Sequence, residues 1–206
     1  FVTNRLQQSL INNLVMTELA LGPISQDANL KVGADPLVDP TRVYYYGVSL
    51  GGVQGASFVS ISPRVSRAVL AVPGAGWANL IPRSIVWVPV KTVMDIYYPD
   101  PLVQQLIVAF VQTQFDYSDP INLSRLLLKH PLPDAPAGRA VVLQESIGDS
   151  QVPNLTTEML ARAVGVKALG PLGREVYGLE TVTSPTTESV LAQYHLVSQI
   201  AGRYPP

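Results

Sequence analysis

The sequence predicts an α/β fold in which a mainly parallel sheet is flanked by helices. Short apolar runs of strand length, at 66–72 and 139–145, resemble strands buried on both faces of a parallel sheet. Segments with apolar residues at helical spacing separate these runs along the chain. Strands that alternate with helices in this way are typical of parallel α/β sheets. The 206 residues suit one domain, spanning 1–206.

The first part of the chain predicts the order helix, strand, helix, strand. Leucines at near-helical spacing predict a helix over 1–21, which the following Gly-Pro pair ends. A polar loop leads into a strand at 42–48. A second helix runs to about Ile61 and precedes the strand at 66–72.

The pattern changes between Trp77 and Pro136, where apolar segments of helical length replace the alternation. This stretch is too long for an ordinary crossover between two strands, so we interpret 77–136 as a helical insertion. We expect three helices in it, at 84–97, 101–115 and 121–128.

The α/β pattern resumes after the insertion with the strand at 139–145. A helix follows at 154–164, and Asn154 is its predicted capping residue. A last strand is expected at 189–194.

Composition excludes several kinds of function. The net charge is −1, so no basic surface for nucleic acid is expected. There are no cysteines, which excludes disulfides, thiolate metal sites and a cysteine nucleophile. Hydrophobic residues make up 47% of the chain and charged residues 14%, which indicates much buried or lipid-facing surface.

The run Gly47-Val48-Ser49-Leu50-Gly51-Gly52 follows the strand at 42–48 and precedes a helix. A nucleophilic serine must project from a sharp strand-to-helix turn, and glycine two residues before and after it avoids clashes there. We therefore predict Ser49 as the nucleophile. A simple tight turn and a phosphate-binding loop are the alternatives. The second requires a lysine that is missing after these glycines.

Asp149 is the predicted acid of a catalytic triad. A serine nucleophile needs an imidazole base, and a carboxylate must orient that base. Asp149 lies in the loop after the strand at 139–145, and it follows Ser49 in chain order. The alternative is that Asp149 is an ordinary aspartate in a surface turn, without a catalytic role. Glu145 is the reserve acid, although we expect it to point into the packing of its strand.

The base has two candidates in this chain, His130 and His195. His195 has the expected order after the acid, so we predict it as the base. His130 precedes the acid and lies at the end of the insertion, which indicates a surface or lid residue. A histidine beyond Pro206 is the competing hypothesis, because His195 follows its strand immediately.

These motifs resemble the α/β-hydrolase superfamily, specifically its bacterial secreted lipase- and esterase-like members. The residues that carry the resemblance are Asp39-Pro40-Thr41-Arg42-Val43, Gly47 to Gly52, Val72-Pro73-Gly74 and Gly148 to Asn154. The resemblance implies hydrolysis of a carboxylic ester through an acyl-enzyme on Ser49, without a metal or an organic cofactor. It also implies a small-molecule or lipid ester as substrate and a secreted or periplasmic location.

The resemblance further implies that the backbone amide of Leu50 stabilises the oxyanion. Its usual partner amide follows an early strand, and no such strand precedes the serine strand here. We therefore expect a C-terminal portion of a hydrolase that lacks the N-terminal strands. A second chain that supplies those strands is a further expectation.

The insertion at 77–136 is interpreted as a lid over an acyl-binding pocket, with contact to a lipid interface as a corollary. The alternative is that the insertion is additional core.

A serine peptidase is an alternative function, because it would use the same catalytic residues on an amide bond. A catalytically inactive binding or assembly module on the same scaffold is the hypothesis from another functional class.

Overall fold

Six parallel strands form the central sheet in the part of the chain that the computed structural model describes, residues 2–195. Their order across the sheet is β3-β4-β5-β8-β6-β7. Their bounds are β3 Tyr44–Val48, β4 Arg67–Ala71, β5 Ala140–Ser146, β6 Lys167–Gly170, β7 Thr181–Thr183 and β8 Val190–Tyr194. Two short strands, β1 (Lys31–Val32) and β2 (Asp35–Pro36), pair separately and antiparallel. Phe1, where the first predicted helix begins, lies outside the described residues.

Three helices cover one face of this sheet: α1 (Val2–Leu21), α2 (Leu50–Ile61) and α7 (Asn154–Val164). Leu10, Phe58 and Leu160 of these helices share one buried cluster with Leu70 and Leu143 of the strands. The predicted α/β class with a mainly parallel, helix-flanked sheet is therefore confirmed.

The sheet's opposite face is exposed at the edge strand β3. Side chains alternate along a strand, and Tyr45 turns toward the covering helices. Tyr44, Tyr46 and Val48 consequently project to the other side, where all three are exposed.

The segment between β4 and β5 is helical, as expected. It contains α3 (Trp77–Arg83), α4 (Val88–Tyr97), α5 (Pro101–Phe115) and α6 (Pro120–Leu123). The predicted helix at 84–97 is shorter, because Ser84 accepts a hydrogen bond from the Val86 amide in a separate 3₁₀ turn and Pro89 opens α4. Within residues 2–195, no helix combines the length and apolar character needed to cross a membrane.

Buried Asp119 attaches this helical segment to the core. Its carboxylate accepts hydrogen bonds of 2.8 Å from the amides of Gly76 and Trp77, which open α3. The Gln112 side chain of α5 and the Ile121 amide donate to the same carboxylate. The beginning of α3, the end of α5 and α6 are thus held at one point.

Candidate active site

Ser49 lies at the sharp turn between β3 and α2. Its φ of 56° and ψ of −121° fall in a region that residues with a side chain seldom adopt. The Ser49 amide donates to the carbonyl oxygen of Ala71 on β4 at 3.0 Å, and the Val53 amide donates to the Ser49 carbonyl. Hydrogen bonds on both sides of the residue therefore hold the strained backbone in place.

The two glycines of the serine motif have different roles. A Cβ on Gly47 would lie 2.2 Å from the carbonyl oxygen of Gly51, so position 47 requires glycine. A Cβ on Gly51 would meet only the Tyr45 hydroxyl, at 3.9 Å. The expectation that glycine avoids a clash at both positions is wrong for Gly51. The close approach falls instead on Gly52, whose Cβ would lie 2.5 Å from the Ala71 carbonyl oxygen.

The amide of Leu50 is the first in α2 and has no carbonyl acceptor within its own helix. Ser49 itself is half-buried, and the Leu50 side chain is 55% exposed. The helix N-terminus therefore directs a backbone donor, and the positive end of its dipole, toward the surroundings of the serine. Leu50 remains the predicted oxyanion donor.

Val72 is a second strained residue, which sequence reasoning missed. Its φ is 44°, in a region that β-branched residues rarely occupy. Val72 directly follows β4, the strand beside β3, and its amide donates to the Gln144 carbonyl oxygen on β5 at 2.8 Å. Strained backbone thus occurs at the carboxyl ends of two adjacent strands. No sequence pattern indicates this, because nothing local in Val72-Pro73 requires a positive φ.

Asp149 lies in the loop after β5, as predicted. Its Oδ1 accepts hydrogen bonds from the amides of Gln151 (2.8 Å) and Val152 (3.0 Å). Asn154 closes the same loop, since its side chain donates to the Ser146 carbonyl and accepts from the Gly148 amide. The prediction that Asn154 caps α7 is wrong, because Asn154 is the first helical residue and its side chain serves the loop instead.

His195 directly follows β8 and is exposed. Its imidazole lies beside Gly173, in the loop after β6. A Cβ on Gly173 would come within 2.8 Å of His195 Nε2 and of the Ile147 side chain. His130 is exposed in the turn after α6, where its amide donates to Arg125.

Ser49, Asp149 and His195 follow β3, β5 and β8, so all three lie at the carboxyl edge of the parallel sheet. The strand order places Ser49 and Asp149 two strand spacings apart, about 10 Å. His195 is one strand further, about 14 Å from Ser49 by the same measure. No hydrogen bond joins these three side chains within the described part of the chain. Their assignment as nucleophile, acid and base remains a prediction.

Glu145 is fully buried in β5, as expected of a residue that points into packing. Burial raises the pKa of its carboxyl group, with the nearby Glu158 adding to this effect. The Gln193 side chain donates to Glu145 Oε2, and the Arg174 guanidinium lies 3.8 Å from Oε1. This network links β5, α7 and β8 on the helix-covered side of the sheet.

No group of three or more His, Asp or Glu side chains in residues 2–195 is arranged to hold a metal ion.

No protein-family model and no curated protein sequence matches the chain. Solved structures do match. Acetyl xylan esterase 1 of a Thermoanaerobacterium species is 15% identical, with a TM-score of 0.51 over 91% of this chain and 48% of that one. At this identity the likeness concerns the fold.

Two other structures are less similar. An acetyl xylan esterase of a Paenibacillus species is 15% identical over 87% of this chain and 45% of its own, with a TM-score of 0.48. An acylaminoacyl peptidase of Pyrococcus horikoshii is 14% identical over 82% of this chain and 22% of its own, with a TM-score of 0.45. The chain therefore spans less than half the length of each. From its strand order, its strained serine turn and the first of these likenesses, the chain has the α/β-hydrolase fold.

Proposed function

We propose that this protein is a serine hydrolase that cleaves carboxylic esters through an acyl-enzyme on Ser49. The observation that carries the proposal is the backbone of Ser49, with φ 56° and ψ −121° at the turn from β3 into α2. Strain of this kind persists only where the surrounding structure enforces it, and a projecting nucleophile is its usual purpose.

In the proposed reaction, Ser49 Oγ attacks the ester carbonyl carbon while a histidine takes its proton. The Leu50 amide stabilises the negative charge on the carbonyl oxygen. The tetrahedral intermediate expels the alcohol, which takes the proton back from the imidazolium. Water then repeats these steps on the acyl-enzyme and releases the carboxylic acid.

Asp149 is proposed to orient the histidine. Its Oδ1 already accepts two backbone hydrogen bonds, and these hold the carboxylate in a fixed position at the sheet edge. Asp149 Oδ2 is then the atom proposed to accept the imidazole N–H. His195 is the proposed base, and to serve this role its imidazole must leave Gly173 and approach the serine.

We further propose that the substrate carries an apolar acyl group. Val48 and Leu50 present exposed apolar side chains on both sides of Ser49. The insertion is joined to the acid loop, because the Ile85 amide donates to the Ser150 carbonyl at 2.8 Å. A groove of about 850 Å³ lies between α3, α4 and α5, within the range of ligand pockets, and its lining combines apolar side chains such as Trp87 and Met94 with polar ones such as Gln104.

A fluorophosphonate probe tests the proposal. The unmodified protein should be labelled, and Ser49→Ala should abolish labelling.

Asp149→Asn should lower kcat on p-nitrophenyl esters by about 10³- to 10⁴-fold. His195→Ala and His130→Ala, assayed as a matched pair, should differ, with a loss only for His195→Ala. Rates that rise from acetyl to longer acyl esters would support the apolar substrate, whereas faster cleavage of p-nitroanilides would favour a peptidase.

A catalytically inactive binding module is the second candidate. The position of His195 beside Gly173, apart from Ser49, is the observation that favours it. Folded protein that neither reacts with the probe nor cleaves any ester would decide for this candidate.

A further inference from the structure

Arg174 connects the loop that follows β6, residues 171–176 and here called the β6 loop, to three elements of the core. Its guanidinium donates a hydrogen bond to Glu158 of α7 and lies 3.8 Å from Glu145 Oε1 on β5. Its backbone amide donates to Gln193 Oε1 on β8 at 3.0 Å. One residue thus attaches the β6 loop to a helix and to two strands.

The partners of Arg174 are themselves fixed in the core. Glu145 is fully buried, and Glu158 is nearly so. The Gln193 side chain donates to Glu145 Oε2 at 2.8 Å, so its amide group bridges Glu145 and the β6 loop. Gln193 and Glu145 are also paired in the register of β5 and β8. Because buried carboxyl groups are costly to leave without donors or a cation, this cluster favours a single position of Arg174.

The preceding residue, Gly173, contacts the side chains of His195 and Ile147. A Cβ on Gly173 would lie 2.8 Å from Cδ2 and Nε2 of His195, and also 2.8 Å from Cδ1 of Ile147. Ile147 follows β5, and its amide donates to the Tyr194 carbonyl oxygen on β8 at 2.9 Å. The imidazole therefore rests against the β6 loop, next to the side chain that follows β5.

This contact keeps His195 away from Ser49. Ser49 follows β3, which lies three strand spacings from β8 in the sheet, or about 14 Å. A general base has to come within about 3 Å of the hydroxyl oxygen that it deprotonates. In a serine triad the Nε2 atom faces the serine, and here Nε2 of His195 lies against Gly173.

We propose that Arg174 is a positioning residue for His195, and that it holds the imidazole on Gly173, apart from Ser49, by attaching the β6 loop to the core. The proposal rests on the proposed function of Ser49 and His195. The rate at Ser49 then depends on the fraction of molecules in which the imidazole has left Gly173. Where that fraction is about 10% or less, release of the imidazole raises the rate about tenfold or more.

NMR tests the position of His195 in His130→Ala protein, in which His195 is the one remaining histidine. A nuclear Overhauser effect should join the imidazole protons to the δ-methyl group of Ile147. Gly173→Ala should abolish it, because the new Cβ takes the space of the two side-chain ends. Both ends can move without a shift of the backbone, so we expect this variant to fold.

Arg174→Met should weaken the same nuclear Overhauser effect, because the β6 loop loses its attachment to Glu145 and Glu158. Arg5→Met is the matched control. Arg5 lies at the exposed surface of α1, and its replacement should leave the effect unchanged. Circular dichroism and thermal unfolding establish that the variants keep the fold, and Gly173→Ala tests the proposal by itself if Arg174→Met does not.

The rate of fluorophosphonate labelling at Ser49 tests the consequence for catalysis. Gly173→Ala and Arg174→Met should each raise this rate about tenfold. They should raise kcat on p-nitrophenyl esters in proportion and change KM less than twofold, because the position of the base acts on the chemical step. Neither substitution should raise the rate in His195→Ala protein, since the gain requires the imidazole.

A nuclear Overhauser effect that is absent from the parent, or unchanged in both variants, would overturn the proposal. Unchanged labelling in variants that lose the effect would also overturn it, as would a gain that persists in His195→Ala protein. Absence of labelling in the parent and in every variant would instead refute the proposed function of Ser49. The NMR result then decides alone whether Arg174 positions His195.

Discussion

The hydroxyl of Tyr45 donates a hydrogen bond of 2.7 Å to the carbonyl oxygen of Gly51. This bond joins the middle of β3 to the first turn of α2, across the turn that carries Ser49. The Tyr45 ring also packs against Phe58, with ring centroids 5.4 Å apart. A Cβ on Gly55 would lie 2.3 Å from that ring, so the glycines of α2 make room for it. The serine turn is therefore supported by one aromatic side chain.

Tyr45→Phe should lower the free energy of unfolding by about 1 kcal/mol, because a partly buried hydrogen bond is lost while the ring packing stays. Urea unfolding measures this. Tyr44→Phe is the matched control, since the exposed Tyr44 should tolerate the change within 0.5 kcal/mol or so. Equal effects of the two variants would contradict a structural role for the Tyr45 hydroxyl.

The same bond has a pH dependence. Burial raises the pKa of the Tyr45 phenol above its usual value near 10. Because the pKa of the phenol is higher in the folded state than in the unfolded state, its contribution to the free energy of unfolding is complete below the unfolded-state pKa. That contribution is lost as the pH rises through the folded-state pKa. The destabilising effect of Tyr45→Phe should therefore shrink in unfolding measurements above pH 10.

Gly47→Ala should lower the free energy of unfolding and Gly51→Ala should raise it, although both glycines belong to one motif. The Cβ at position 47 would meet backbone atoms at 2.2 Å, which we expect to cost about 2–3 kcal/mol and to abolish probe labelling. The Cβ at position 51 has space, and alanine favours the helix by up to about 1 kcal/mol. Urea unfolding and labelling of both variants check this. Equal destabilisation would refute the distinction.

Local patterns predicted the parts of this structure that depend on neighbours in the chain. The serine turn follows from glycines beside a strand, and the Asp149 loop follows from a glycine, an aspartate and a proline in a short stretch after a strand. Both lie where expected. The strands at 42–48 and 139–145 were likewise found within one or two residues.

Long-range pairing explains what could not be predicted. Strands β6 and β7 are only four and three residues long and contain no continuous apolar run. The place of β6 in the sheet depends on pairing with β8, and that of β7 on pairing with β6. The strain at Val72 depends on its hydrogen bond to Gln144, 72 residues later. The position of His195 depends on Gly173, and no spacing in the sequence relates the two residues.

Asp119→Ala should lower the free energy of unfolding by about 3 kcal/mol. Asp119 is fully buried, and its removal leaves the amides of Gly76, Trp77 and Ile121 without their acceptor. The Gln112 side chain loses one of its two acceptors. Urea unfolding measures the loss.

Asp116→Ala is the control for Asp119→Ala. Asp116 also accepts a hydrogen bond from Gln112, at 2.9 Å, but it lies at the exposed surface. We expect this variant to change stability by less than about 0.5 kcal/mol. A loss at Asp116 as large as that at Asp119 would contradict the role of Asp119 as the attachment point.

Glu145→Gln should stabilise the protein relative to the parent as pH rises from 4 to 8. Burial raises the pKa of the Glu145 carboxyl group in the folded state. The protonated carboxyl group therefore contributes fully to the free energy of unfolding at any pH below its unfolded-state pKa. This contribution is lost as the pH rises through the folded-state pKa. Glutamine keeps the shape and does not ionise. Urea unfolding at pH 4, 6 and 8 should show a difference in the free energy of unfolding between variant and parent that grows with pH.

Glu180→Gln, at an exposed carboxylate, is the control, and its difference from the parent should not grow with pH. A Glu145→Gln effect that is constant across pH would mean that Arg174 and Gln193 compensate the buried charge completely.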